Sequence, residues 1–245
     1  MKRFVFASLL ILVLLTSKPA TAADTTGLYV APKFTVSQQN QDNTKRFDNL
    51  YSPTGPMAPF QSGTRHEEDL VIGGALAIGY DFYPTLSLPV RTELEYAAHA
   101  QSSTSSQGVD AKSGFYGGRS IKLSRKIGVS TLFANAFYDF HTDTNFTPYV
   151  GAGIGVASLR VKDNFENGAY NLGSAKKTVE NFAWNLGAGV AYSFDAHWNV
   201  DLGYRYSNFG TVNGATAVSG AGYYSSKAKS DATSHEILLG LRYAF

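Results

Sequence analysis

The chain of 245 residues contains no cysteine, 24 glycines, 15 tyrosines and 16 phenylalanines, with 21 Lys plus Arg against 19 Asp plus Glu. The lack of cysteine excludes disulfide stapling and thiolate metal sites, and the near balance of charge gives no electrostatic ground for a nucleic-acid partner. Glycine and aromatic residues spread along alternating segments point to closed β-structure rather than helices.

The N-terminus reads as an export signal. Met1-Lys2-Arg3 is basic, Phe4 to Leu15 is apolar apart from Ser8, and Ala20-Thr21-Ala22 supplies a small-x-small cleavage pattern. This apolar run is too short to cross a bilayer as a helix, and no later run is long enough either. The predicted division is a signal peptide over 1–22 and a β-barrel over 23–245. Lys2, Arg3 and Lys18 leave with the signal, so 18 of the 21 basic residues stay with 19 acidic ones.

A barrel strand in lipid turns apolar residues outward and polar or small ones inward. From Gly27, Leu28, Val30, Phe34 and Val36 share one face, with Tyr29, Ala31, Lys33 and Thr35 on the other. The second segment sets Leu70, Ile72, Leu76, Ile78, Tyr80 and Phe82 against Val71, Gly73, Ala75, Ala77, Gly79 and Asp81. In the third, Val90, Leu94 and Tyr96 oppose Arg91, Glu93 and Glu95. The fourth puts Leu132, Ala134, Ala136, Tyr138 and Phe140 outside and Asn135 and Asp139 inside. Ile127 and Val129 fall out of its outward phase, which predicts a bulge or a later start.

The fifth alternates Val150, Ala152, Ile154 and Val156 with Gly151, Gly153 and Gly155. Phe182, Trp184, Leu186, Val190 and Tyr192 mark the outer face of the sixth. Trp198, Val200, Leu202, Tyr204 and Tyr206 mark the seventh, with Asp201 and Arg205 inside. The eighth ends the chain, with Ile237, Leu239, Leu241, Tyr243 and Phe245 opposite Glu236, Gly240 and Arg242. A soluble sandwich would have to bury this charged face in its core, whereas a small wet or salt-bridged lumen accommodates it.

Connections alternate in length. Long stretches run over about 38–69, 101–126, 162–181 and 210–233, and short turns over 83–85, 141–147 and 195–197. Both chain ends fall on the short-turn side, which predicts periplasmic termini and extracellular loops. The long loops are rich in Ser, Asn, Thr, Gly and Gln and are expected to be solvated and mobile. Aromatic residues gather beside each short turn (Phe82-Tyr83, Tyr138 and Phe140, Tyr192 and Phe194 with Trp198, Tyr243 and Phe245), as an interfacial girdle requires.

These segments also carry a resemblance. Ile78 to Tyr83, Leu88 to Tyr96, Asn135 to Phe140, Thr147 to Gly153 and Asp201 to Tyr206 resemble the opacity-like superfamily of eight-stranded outer-membrane barrels (OmpA/OmpX-like). Within it the chain is most similar to the Tia/Hek-type adhesin–invasins. The run Ile237 to Phe245 looks like a terminal strand read by the outer-membrane assembly machinery, with Tyr243 and Phe245 as its signal. The resemblance implies an all-β, up-and-down barrel integral to a Gram-negative outer membrane.

Function is expected at the loops. An eight-stranded barrel is filled by side chains rather than open, and Lys33, Asp81, Arg91, Glu93, Glu95, Asp139, Asp201, Arg205, Glu236 and Arg242 are expected to interlock inside it. The second loop carries Lys112, Arg119, Lys122, Arg125 and Lys126 against the single acid Asp110. Such a surface suits a sulfated glycan on a host cell, and it equally suits the anionic lipopolysaccharide at the rim. The reading is an adhesin or invasin with a host-cell glycan or protein receptor as partner, alongside outer-membrane lipid and lipopolysaccharide. A membrane-stabilising barrel or a narrow gated pore is the alternative, and a lipid hydrolase stands behind both. No catalytic residues, cofactor or metal site are indicated. Ser234-His235-Glu236 cannot relay a proton from one strand because His235 points away from its neighbours. His99 has no evident carboxylate on its face, and His66, His141 and His197 are scattered.

Overall fold

The computed structural model describes residues 26–52, 55–56, 60–62, 67–108, 121–167, 170–213, 216–219, 222–226 and 229–245. The proposed signal peptide lies outside them. Eight strands follow one another as β1 (Leu28–Ser52), β2 (Glu67–Asp81), β3 (Val90–His99), β4 (Ile121–Asp139), β5 (Phe146–Asn167), β6 (Tyr170–Ser193), β7 (Trp198–Asn213) and β8 (Lys229–Ala244). Each pairs antiparallel with its neighbours in sequence, and β1 pairs with both β2 and β8. The sheet therefore closes into the eight-stranded antiparallel barrel that the alternation predicts. Closure leaves no barrel strand with an unpaired edge, which is what lets strands cross lipid. Among the described residues no helix is long and apolar enough to cross a membrane.

The alternation sorts side chains as expected. On β3, Arg91, Glu93, Glu95, Ala97 and His99 are buried while Thr92, Leu94, Tyr96 and Ala98 are exposed. The outer wall displays Ile72, Ile78, Leu94, Ile154, Phe182, Leu202 and Ile237 among other large apolar side chains. In water this would be an aggregating surface, whereas in hydrocarbon it matches its solvent.

Two expectations need correction. β4 contains neither a bulge nor a late start, since its register with β5 runs unbroken from Ile121 opposite Asn167 to Asp139 opposite Tyr149. Ile127 and Val129 share the inward phase with Thr131, Phe133 and Asn135, and all five are buried. They looked out of phase because the β4–β5 side of the outer lumen is apolar.

The long connections are also less irregular than their composition suggests. β5 and β6 stay paired from Phe146 opposite Tyr192 to Asn167 opposite Tyr170, with one register shift near Phe165. Residues 162–167 and 170–181 thus form a β-ribbon, its polar residues interrupted by β-formers such as Phe165, Tyr170, Thr178 and Val179. Ser102–Gly108 extends the β3 side along β4, and Gly222–Ser226 pairs with the far end of β1. The 22 residues of β5 run on the order of 70 Å at about 3.3 Å each, against an apolar band of about 25 Å. Even with strand tilt, about half of this ribbon stands outside the membrane.

The opposite end is tightly turned. Tyr83–Leu86 forms one helical turn, and Ser87 N–H closes it on the Tyr83 carbonyl at 2.9 Å. Thr142 Oγ1 donates to the Phe146 carbonyl at 2.6 Å in the second turn. In the third, Asp195 Oδ1 accepts the backbone N–H groups of Trp198 and His197 at 2.7 and 2.8 Å. These bonds, that from Trp198 foremost, hold the exposed Asp195 carboxyl below its ordinary value of 3.8. A depressed carboxylate stabilises the fold above its unfolded pKa and loses that contribution as pH falls through the folded value. Asp195→Ala should therefore lower the urea midpoint at neutral pH, with the difference from wild type vanishing in acid below the ordinary carboxylate range. A difference that persisted there would show the turn to depend on something other than this charge.

Edge-to-face ring pairs trace the girdle at this end. Tyr138 meets Phe140 at 5.1 Å, Tyr192 meets Phe194 at 5.0 Å, and Tyr243 meets Phe245 at 5.1 Å between centroids. Backbone bonds from Phe245 N–H to Leu28 and from Thr26 N–H to Phe245 lock the terminal strand against the first.

Candidate functional site

The lumen is filled in layers. Nearest the short turns, Arg91 grips Asp139 with two hydrogen bonds, Nε to Oδ2 at 2.5 Å and Nη2 to Oδ1 at 2.9 Å. Its guanidinium lies over the rings of Phe137 and Tyr149, 5.1 Å from each. Arg242 approaches Asp201 at 3.5 Å and sits over the Tyr29 ring. Tyr29 in turn donates its hydroxyl to Glu93 at 3.0 Å.

A continuous chain of charge crosses the next layer. Lys33 bridges Glu93 and Glu95 at 2.5 and 2.7 Å, and Arg205 joins Glu95 at 2.5 Å to Glu236 at 2.6 Å. His99 Nε2 ends the chain 3.2 Å from Glu236 Oε1. Nearby, Asn185 donates its side-chain N–H to Asn135 at 3.0 Å. The space left between Lys33, Arg91, Asn135, Tyr149, Asp201 and Arg205 is about 40 Å³. That admits a few waters, far less than the several hundred Å³ of a small-molecule site.

Above the chain of charge lies an apolar cap. Ile127, Val129 and Phe133 from β4, Ala157, Leu159 and Val161 from β5, Ala183 from β6, Phe209 from β7 and Ala232 from β8 form one buried cluster. Phe209 approaches the His99 ring at 6.5 Å. An apolar layer and an ionic layer thus follow one another along the lumen.

Nine of the ten residues expected to interlock in the lumen hold ion pairs there. Asp81 does not: its carboxylate accepts the Tyr83 N–H at 2.9 Å in the first turn, and Arg91 takes Asp139 instead. His99 is also corrected, because its carboxylate partner comes from β8, across the barrel and invisible in local sequence. Tyr29 lies inside, as its face of β1 predicts, whereas Phe133, Phe137, Tyr149 and Phe209 were not anticipated. Strict period-two counting along each strand would have placed them inside.

The basic residues of the second loop divide. Lys112 and Arg119 lie outside the described residues. Lys122 stands opposite Glu166 and Arg125 opposite Asp163 in the register of β4 with β5, and Lys126 stands opposite Lys162. Lys126 is exposed. His235 faces outward with its Nδ1 2.6 Å from the Tyr204 hydroxyl, while Ser234 and Glu236 are buried. Among the described residues no cluster of three or more His, Asp or Glu side chains is arranged for a metal.

A closed sheet with an apolar outer wall, an aromatic girdle and a plugged interior defines an integral eight-stranded barrel of the bacterial outer membrane. The chain belongs to the outer membrane protein beta-barrel domain family, whose model matches residues 7–245. It is 31% identical over 167 residues to outer membrane protein PagN of Salmonella typhimurium, a match covering 65% of this chain and 64% of that relative's length. Among solved structures it is similar to Neisserial surface protein A, at 17% identity and a TM-score of 0.48, over 91% of this chain and all of the other. It is also similar to Ail, the attachment invasion locus protein of Yersinia pestis, in complex with the heparin analogue sucrose octasulfate. There identity is 10% and the TM-score 0.40, over 90% of this chain and 100% of that one.

Proposed function

We propose that this protein is a surface adhesin or invasin that engages a host-cell ligand, in first instance a sulfated glycan, through the outer ends of its strands and loops. The observation that carries the reading is the contrast between the two ends of the barrel. The lumen is closed by ion pairs and an apolar cap, while β5 and β6 continue as a paired ribbon to Asn167 and Tyr170. A protein with a filled interior and paired ribbons that project beyond the membrane presents its chemistry outward. The barrel is read as non-enzymatic. The His99–Glu236 contact is buried inside the lumen, with side chains 1% and 0% exposed, out of reach of a lipid or polypeptide. The terminal strand, with Tyr243 and Phe245 in the girdle, is proposed as the segment read by the assembly machinery.

The glycan reading is tested by heparin binding of the refolded mature protein across a salt titration. Binding should weaken steeply with added salt, and it should fall further when Lys112, Arg119, Lys122, Arg125 and Lys126 are all changed to Gln. Binding that ignores both salt and these substitutions would move the ligand to another loop, and no binding at low salt would remove sulfated glycans as the ligand class.

A further inference from the structure

Strand register assembles a basic group that the loop sequences do not show. Lys126 on β4 stands opposite Lys162 on β5, and Lys162 stands opposite Lys176 on β6. One row nearer the membrane, Arg160 stands between Gly128 and Thr178. All four cations are exposed, and none has an ion pair among the described residues. They occupy the same outward phase as Leu132, Val156 and Phe182, the last row of the lipid-facing belt on these strands. The row between holds Ser130, Ser158 and Glu180.

Like charges directly opposite one another destabilise a strand pair, so three in one row mark a surface completed by an anion. Height selects which anion. The lysine row is six residues beyond Leu132 along the strand, about 20 Å, or about 15 Å above the belt at a tilt of about 40°. Arg160 stands about 10 Å above it by the same measure. The polar zone of a phospholipid bilayer reaches only about 5–8 Å beyond the hydrocarbon, so phospholipid phosphates lie too low. Below the lysines the strip is built of the small residues Gly128, Ser130, Ser158 and Thr178, with Arg160 among them and Glu180 the one acid, two rows from the lysines.

We infer that Lys126, Lys162, Lys176 and Arg160 bind the phosphate or carboxylate groups of the sugar core of outer-leaflet lipopolysaccharide, clamping the β4–β6 wall to that leaflet. The clamp rests on the outer-membrane placement and not on the adhesin reading. It assigns Lys126 to the lipid wall, apart from the remaining basic residues of its loop.

The test places the mature protein in nanodiscs of rough lipopolysaccharide carrying a phosphorylated inner core and counts the glycolipid retained after detergent transfer, by native mass spectrometry. Wild type should retain glycolipid, and Lys126→Gln/Lys162→Gln/Lys176→Gln should retain about tenfold less. The corresponding Lys→Arg triple variant should behave as wild type, which controls for folding. Lys112→Gln/Arg119→Gln/Lys122→Gln/Arg125→Gln should also leave retention unchanged, whatever it does to heparin binding. Equal retention by the Gln triple variant would overturn the clamp, as would equally strong retention of lipid A lacking the core. Loss of heparin binding with lipid retention intact would hand the lysine row to a soluble polyanion instead.

Discussion

Arg205→Met is expected to lower the unfolding free energy of the lipid-embedded barrel by about 3–5 kcal/mol, because it breaks a buried ionic network from one side. Arg205 holds Glu95 and Glu236 together at 2.5 and 2.6 Å, and both carboxylates are fully buried. Without the guanidinium, Glu95 keeps Lys33 while Glu236 keeps only the His99 ring at 3.2 Å, so two fully buried carboxylates lose their shared cation. Adding Glu95→Leu removes one of the stranded charges and should recover part of the loss. The double-mutant cycle should give a coupling of about 0.5–3 kcal/mol. Urea unfolding in vesicles measures both. Additive effects would mean that the contact is geometric and not energetic.

The same variant separates the two layers. Arg205→Met leaves Phe133, Leu159 and Phe209 in place above the ionic layer, so planar-bilayer recordings should stay silent. Discrete conductance steps from the single variant would show that the ion pairs alone close the lumen and would favour a gated pore.

What the sequence made legible follows from the range of each interaction. Period-two alternation is local, and it placed the outer wall and nine of the ten lumen charges. Pairing across the barrel is not local. Glu95 meets Arg205 at a separation of 110 residues, and His99 meets Glu236 because opposite walls converge. Lys126, Lys162 and Lys176 become neighbours only through register, which no single strand encodes. The apolar cap was misread because lumen chemistry was assumed uniform from end to end. Composition also misled in the loops, where Ser- and Asn-rich segments keep enough β-formers to continue as paired ribbons.

Gly153→Leu and Gly155→Leu should each prevent the barrel from closing, and their effect should exceed that of any loop substitution. These glycines lie on the inward phase of β5, beside β4 positions that project large side chains into the lumen. A Cβ on Gly153 would stand 1.9 Å from Asn135 Oδ1, and one on Gly155 would stand 2.0 Å from the Leu132 carbonyl oxygen. Asn135 could swing aside at the cost of its bond to Asn185, but a backbone carbonyl held in the β4–β5 ladder cannot. Gly155 should therefore be the stricter site, intolerant even of Ala, whereas Gly153→Ala should fold with lower stability. Overpacking a filled core ordinarily costs about 1–3 kcal/mol, but here the strain falls on strand pairing itself, which a closed sheet cannot redistribute. Heat-modifiable electrophoretic migration reports closure directly, because a closed barrel resists unfolding in cold detergent. A Gly155→Ala protein that migrates as a closed barrel and unfolds at the wild-type urea concentration would show that β4 and β5 have more room than this packing allows.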